Sequence, residues 1–393
     1  MEEILYAYWL SNLDGVGNGT VRNLLEYAGS LEEIWKLTPK ELDSAELKLS
    51  LPVSQLIISS RDESEVRRSY EEMLRTGITF YHYGHPLYPR KLKNIYDPPQ
   101  GIYVKGKLPD PDVMSIAIVG ARNCSEYGRL MARKLALALA DAKIPVISGM
   151  ARGIDGIAQE AALEGGGYSC GVLGCGVDIC YPEGNRNLYD KLSVSGGLIS
   201  EYHPGVSPQS GQFPLRNRII SALSDIVIVV EARERSGSLI TADQALEQGR
   251  DVYALPGRVC DPLSQGCNRL IRQGAGIITS VQDFLKDISI YRGEEHYPVP
   301  NMNEDTKKNA DTRRSADEAV QMTLATAGML SDDEKTLMSA MDYHPQTISA
   351  LQNATGLDAG RLYTLLMQLS MKGYILQKGS RYVLDGGNEQ LNR

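Results

Sequence analysis

The sequence predicts an α/β fold: a parallel sheet wound with helices, preceded by a helical module and followed by a winged-helix segment. Three observations carry that prediction. Between Ser115 and Gly149 a branched apolar run, a stretch of period three to four and a second apolar run succeed one another, which is a βαβ unit with parallel strands. Apolar runs then alternate with helical stretches as far as Leu255. Residues 331–384 read as three helices and a hairpin.

Whole-chain numbers limit the function classes. The 393 residues allow roughly two to four domains. Charged residues at 23% and hydrophobic ones at 42% fit an ordinary globular protein. No apolar run nears the ~18 residues of a membrane span, and no basic-then-apolar leader opens the chain. The expectation is a cytoplasmic protein with no membrane partner. Six cysteines (124, 170, 175, 180, 260, 267) form no C-x-x-C pair and the five histidines are scattered. Buried free thiols in a reducing compartment are therefore expected, with no metal and no cofactor. The net charge of −8 argues mildly against nucleic acid, but residues 1–80 hold 14 acids against 8 bases while the remainder holds 35 against 33. An acidic amino-terminal part leaves room for a basic crevice elsewhere.

Residues 1–75 read as helices. Within them LDGVGNGTVRNLLEYAG resembles a helix-hairpin-helix, with Leu13 to Gly17 as the hairpin and Val21, Leu24 and Leu25 buried. Such hairpins present glycine amides to DNA phosphates, but Asp14 and the acidic segment favour a plain helical turn. Residues 77–108 are rich in aromatics and proline, with short strands at Ile78–Tyr83 and Gly101–Val104. The Asp97-Pro98-Pro99 triplet excludes a helix there. This stretch is expected on the edge of the main sheet.

In the βαβ unit Ser115–Val119 is the first strand, Tyr127–Ala140 the helix and Ile144–Ile147 the second strand. Parallel strands send both following turns, Gly120-Ala121-Arg122 and Ser148-Gly149, to one rim, where open α/β sheets bind ligands. Each turn opens a helix whose unpaired amides favour anions, and Arg122 and Arg152 lie beside them. A phosphate-binding crevice follows, or else turns with solvated arginines. G-x-G-x-x-G and the P-loop Gly-Lys-Ser/Thr are both absent, which argues against a dinucleotide dehydrogenase and a P-loop ATPase. Further strands are expected at Tyr168–Leu173, Gly197–Ser200, Ile226–Glu231 and Val252–Leu255, with helices near 157–164, 185–192, 217–223 and 239–248.

Residues 291–327 lose apolar periodicity and read as a linker. In the winged helix Ser331 and Glu334 form a capping box, and the third helix, about Asp358 to Met371, buries Leu362, Leu365, Leu366 and Leu369. Its expected exposed face (Arg361, Tyr363, Thr364, Gln368, Lys372) has only two cations, which favours protein contact over DNA reading.

The motifs together resemble the bacterial DNA processing protein A family (DprA, also called Smf) along most of the chain. The matching strings are YPRKLKNIYDPPQGIYVKG, IVGARNCSEYG, ISGMARGIDGIAQEAAL, VLGCGVDICYPEGNRNL, FPLRNRIISALS, VVEARERSGSLITADQALEQGR, and ALPGR followed by GCNRLIRQGA. The resemblance implies an extended Rossmann core at 76–290 between a sterile-alpha-motif-like or helix-hairpin-helix module (1–75) and, past the linker, a winged helix (328–386). It implies a homodimer through that core, which coats single-stranded DNA and loads the recombinase RecA onto it. The family's glycine-serine-arginine turn falls on Gly120, Ala121 and Arg122, where the hydroxyl is missing. Ser148, Gly149, Arg152 and Gly153 are expected at phosphate, with Asp155 holding their turn or capping its helix. Arg186, Tyr189, Arg216, Asn217 and Arg218 either add cations, a polar contact and a stacking face or serve the turn and helix they sit in. Ser236, Gly237, Ser238 and Thr241 are assigned to the same strand of DNA.

The rival reading is a nucleotide-binding enzyme of the phosphoribohydrolase type, whose site carries P-G-G-x-G-T-x-x-E. Laying Ser236 to Thr241 on that motif puts Gln244 where the essential glutamate belongs. An amide cannot serve as general acid or base, so no catalysis is expected. A nucleotide-sensing adaptor is the third reading.

Overall fold

Nine strands make the main sheet: β1 (Ile78–His82), β2 (Gly101–Gly106), β3 (Ile116–Val119), β4 (Val146–Ser148), β5 (Ser169–Val172), β6 (Gly197–Ser200), β7 (Ile226–Val229), β8 (Asp251–Ala254) and β9 (Gly276–Ile277). Their spatial order is β1-β2-β6-β5-β4-β3-β7-β8-β9. From β6 to β9 neighbours are parallel, and β2 and β1 add an antiparallel edge. The computed structural model describes residues 1–291, 331–341, 345–378 and 381–384, so the expected linker lies outside them but for Tyr291. The chain divides into two compact units, Met1–Arg122 with Ala136–Ile277, and Asn123–Leu135 with Ile278–Arg393.

The sequence of β3 to β7 dictates this burial. Runs such as Ile116-Ala117-Ile118-Val119 and Ile226-Val227-Ile228-Val229 are apolar at every position, and every residue of these five strands is buried. A parallel sheet covered on both faces needs such continuous runs. The chain steps outward from β3 through β4, β5 and β6, then returns to the other side of β3 with β7. That reversal opens a crevice between the β3 and β7 carboxyl ends.

Helices from Glu3–Ser11 to Glu63–Arg75 precede the sheet and share one core with its edge. Tyr8 meets Phe80 of β1 and Tyr103 of β2 edge-on, at 5.7 and 6.4 Å between ring centroids. A turn joins the helices between Ser11 and Asn18, with Val21 and Leu24 buried and Leu25, expected beside them, only half-buried. The sequence reading stopped the sheet at Leu255. The structure adds β9, whose two residues, Gly276 and Ile277, give no period to detect, and the helices Gln265–Arg272 and Val281–Tyr291.

The winged helix consists of helices Asp332–Ala340, Ile348–Thr355 and Ala359–Met371 with strands β10 (Gln346–Thr347), β11 (Ile375–Lys378) and β12 (Arg381–Leu384). Ser331 Oγ accepts from Glu334 N at 3.3 Å, and Glu334 Oε2 accepts from Ser331 N at 2.8 Å, completing the capping box. Leu362, Leu365, Leu366 and Leu369 are buried as the spacing requires. Arg361 and Lys372 pair with Asp333 and Glu334 of the first helix.

Among the described residues no helix is long and apolar enough to cross a membrane. The expectation of uniformly buried thiols fails at two positions. Cys260 is exposed and Cys124 half-buried, because both lie in loops past strand ends instead of in the core.

Candidate nucleic-acid interface

A cleft of about 450 Å³ opens at the carboxyl ends of β3, β4 and β7. The turns after β3 and β4 make its floor, and they are knitted together. Ile154 N donates to Ala121 O at 3.2 Å. Gly153 sits at φ +76°, and a Cβ there would stand 2.3 Å from Ala121 O, so only glycine fits. Met150, a non-glycine at φ +52°, is held by two partners. Its N–H donates to Gln159 Oε1 at 3.0 Å, and its carbonyl accepts from Asn185 Nδ2 at 2.9 Å. Backbone in that sparse region persists only where neighbours over-determine it.

Asp155 and Arg216 are the buried charges beneath this floor. The Asp155 carboxylate accepts from Gly149 N at 3.1 Å. Burial pushes its pKa up, against the pull of Arg216 and the Gly149 amide. Arg216 Nη1 donates to Gly149 O at 3.0 Å and to Val172 O. Burial brings its pKa down to about 10, Asp155 opposing, so the guanidinium stays charged at neutral pH.

Five expected DNA contacts are corrected by this geometry. Ser148 is fully buried and donates to Ile118 O at 2.6 Å. The Gly149 amide is taken by Asp155. Arg216 is buried and satisfies two strand-end carbonyls, and an arginine so placed positions the floor instead of meeting a ligand. Tyr189 is buried with its hydroxyl on Val177 O at 2.6 Å, and Lys105 and Arg186 lie over its ring, so it offers no face to a base. Arg218 grips Glu201 in a two-pronged pair, at 2.9 and 2.6 Å, and reaches Asp97 at 3.5 Å. Arg22 and Asn18 of the amino-terminal helices reach that same Asp97. Arg218 is thus a clamp between the core and those helices.

Of the remaining expected residues most line the cleft, whereas Arg152, Gly153 and Arg186 lie outside its lining. Gly120 and Arg122 line the cleft from the β3 side, with Ala121 between them in the turn, and Asn217, Ser236, Gly237, Ser238 and Thr241 line it from the other. Ser236 caps the helix Gly237–Glu247, its Oγ accepting from Ser238 N at 3.4 Å and lying 2.8 Å from Ser238 Oγ. Arg122 is exposed, and Arg152 is exposed beside it at the start of the Ile154–Glu164 helix, next to Gly153. Arg186 is exposed one residue past Asn185, which is bonded to Met150 O and Ala151 O at 2.9 and 3.2 Å.

Two aromatic residues that line the cleft are not among the expected site residues. Phe213 stacks on Tyr181 at 5.4 Å and 24°, and the Arg122 guanidinium stands 5.8 Å from the Phe213 ring centroid. One signal was available: Phe213 is one of only three phenylalanines, and it precedes a proline in a rim segment instead of sitting in an apolar run.

A family model described as DNA recombination-mediator protein A matches residues 79–289, and a DprA winged helix domain matches 322–379. Protein Smf of Synechocystis is 32% identical over 96% of this chain and 98% of its own length. DNA processing protein DprA of Bacillus subtilis is 38% identical over 65% of this chain and 88% of its own. Among solved structures, DNA processing protein A of Streptococcus pneumoniae superposes with a TM-score of 0.64 at 35% identity, covering 73% of this chain and 99% of that one. The Helicobacter pylori DNA processing protein A, solved for its unique single-stranded DNA binding mode, gives a TM-score of 0.50 at 30% identity over 55% of this chain and 96% of its own. With more than half of its length in the first model and a relative collinear with it almost from end to end, the chain belongs to the DNA recombination-mediator protein A family.

Proposed function

We propose that the cleft holds single-stranded DNA, with phosphates at Arg122, at Arg152 just outside the lining and at the Ser236–Ser238 helix start, and a base against the exposed Tyr181 ring of the Tyr181–Phe213 pair. The observation that carries this reading is the meeting, at one rim, of an exposed arginine with no carboxylate partner among the described residues and an aromatic stack. A cationic groove with stacking faces grips single strands, whereas a duplex keeps its bases away from such faces. The single-stranded DNA binding of the Helicobacter pylori relative supports the choice of ligand.

In the same reading residues 76–290 carry the DNA, while 1–75 and 328–386 are auxiliary modules. The protein acts in the cytoplasm as a homodimer through the 76–290 core, hands the coated strand to the RecA recombinase, and catalyses no reaction itself. Gln244 supports the last point. Its Nε2 donates to Pro214 O at 3.4 Å, and the amide has no proton equilibrium to offer.

The test is Arg122→Ala combined with Arg152→Ala, with the fold checked by circular dichroism. Oligo-dT affinity falls at least about tenfold, and the slope of log K against log salt becomes shallower by about 1.4, two contacts of a single strand. Undiminished affinity with an intact fold refutes the assignment.

A further inference from the structure

We propose that the DNA track does not end at the cleft but continues along the rim onto the loop after β7, where Arg233 and Arg235 hold phosphates outside it. This inference rests on the reading of the cleft given above. The sheet order sets the argument. Exposed arginines occur in the loops that follow neighbouring strands: Arg186 after β5, Arg152 after β4, Arg122 after β3, and Arg233 and Arg235 after β7.

Hydrogen bonds hold these loops at one edge in that sequence. Asn185 ties the Arg186 segment to the turn carrying Arg152, and Ile154 N ties that turn to Ala121. Val230 N donates to Val119 O at 3.1 Å, which fixes the end of β7 beside that of β3. The far side of the β7 loop is equally anchored, with Ala232 N on Leu263 O and Gly266 N on Ala232 O, both at 2.8 Å. Three strand spacings separate the β5 and β7 ends, roughly 14 Å measured across the sheet. A strand following this row therefore runs perpendicular to the β-strands.

Arg233 and Arg235 have no hydrogen-bond or carboxylate partner among the described residues, unlike Arg216 and Arg218. They flank Glu234 and lead into Ser236, which already lines the cleft. An anion leaving the cleft on that side meets these two cations next. Their chemistry is that of phosphate anchoring without base reading.

The full-length Arg233→Ala/Arg235→Ala variant tests this with two ligands, oligo-dT of about 6 nucleotides, which fills the cleft alone, and of about 30, which extends past it. The longer ligand loses about tenfold in affinity, and its salt slope becomes shallower by about 1.4, while the shorter ligand stays within about twofold. The Arg233→Lys/Arg235→Lys variant restores the longer ligand's affinity. An unchanged salt slope for the longer ligand overturns the track, and so does an equal loss for both lengths, which would put the arginines in the cleft itself. Wild-type protein that fails to bind either length overturns the cleft reading along with it.

Discussion

Arg122 and Arg216 look alike in the sequence, since each is an arginine beside a predicted turn or helix start, and the structure separates them completely. Arg122 faces solvent across an aromatic ring, whereas Arg216 is buried beside the Asp155 carboxylate. Their substitutions therefore have different effects. Arg216→Ala leaves the buried Gly149 and Val172 carbonyls without this donor, which costs about 1–3 kcal/mol and lowers the melting temperature. Arg122→Ala leaves the melting temperature within about 2 °C and reduces DNA binding alone, because surface positions contribute little to stability. Calorimetry of the two purified variants distinguishes them. Glycine spacing marked where the turns lie, but not which polar groups inside them were already spoken for. The Ser148 hydroxyl and the Gly149 amide were misassigned for that reason, since their partners, Ile118 O and Asp155, become visible only once the strands are side by side.

Among the elements, the strands and the helix faces were the legible part. The continuous apolar runs of β3 and β7 and the helical spacing of the four leucines in the Ala359–Met371 helix mark their own burial. Elements of two residues such as β9 and β10 have no period, and the tertiary neighbours that create them are invisible in a linear reading. Two predictions belong at this scale. Gly153→Ala forces a Cβ against Ala121 O at positive φ and costs about 3 kcal/mol, read as a drop in the thermal midpoint. An unchanged midpoint would mean the two turns are not locked. In the winged helix, the hydrogen bond from Lys372 holds the Glu334 carboxyl below the usual range. A depressed folded-state pKa contributes stability that is present above the unfolded value, near 4, and lost as the pH falls through the folded one. Glu334→Gln therefore speeds amide exchange in the Asp332–Ala340 helix at pH 7, and the difference from wild type shrinks below about pH 4. A difference that grows in acid would contradict the ion pair's role.

On the scale of the whole molecule, the sheet order converts scattered loops into one edge. The family strings identified which loops matter, but the residues that face the ligand depend on a return crossover that no local motif encodes. Arg218 illustrates the limit. It lies in the string FPLRNRIISALS beside Arg216, yet the crossover delivers it to Glu201 and Asp97, where it braces the amino-terminal helices. Phe213 lies five residues earlier in the same string and is delivered to the cleft instead. The central claim is thus a location: the strand of DNA passes over the β3–β7 crevice against the Tyr181–Phe213 stack. Ultraviolet cross-linking of full-length protein to oligo-dT, with the adducts mapped by mass spectrometry, measures that location directly. Thymine adducts on the peptides carrying Tyr181 and Phe213 are the expected result, and they disappear in Phe213→Ala/Tyr181→Ala, with an affinity loss of about 1–3 kcal/mol per unstacked base. Adducts confined to the amino-terminal hairpin or to the winged helix would contradict it.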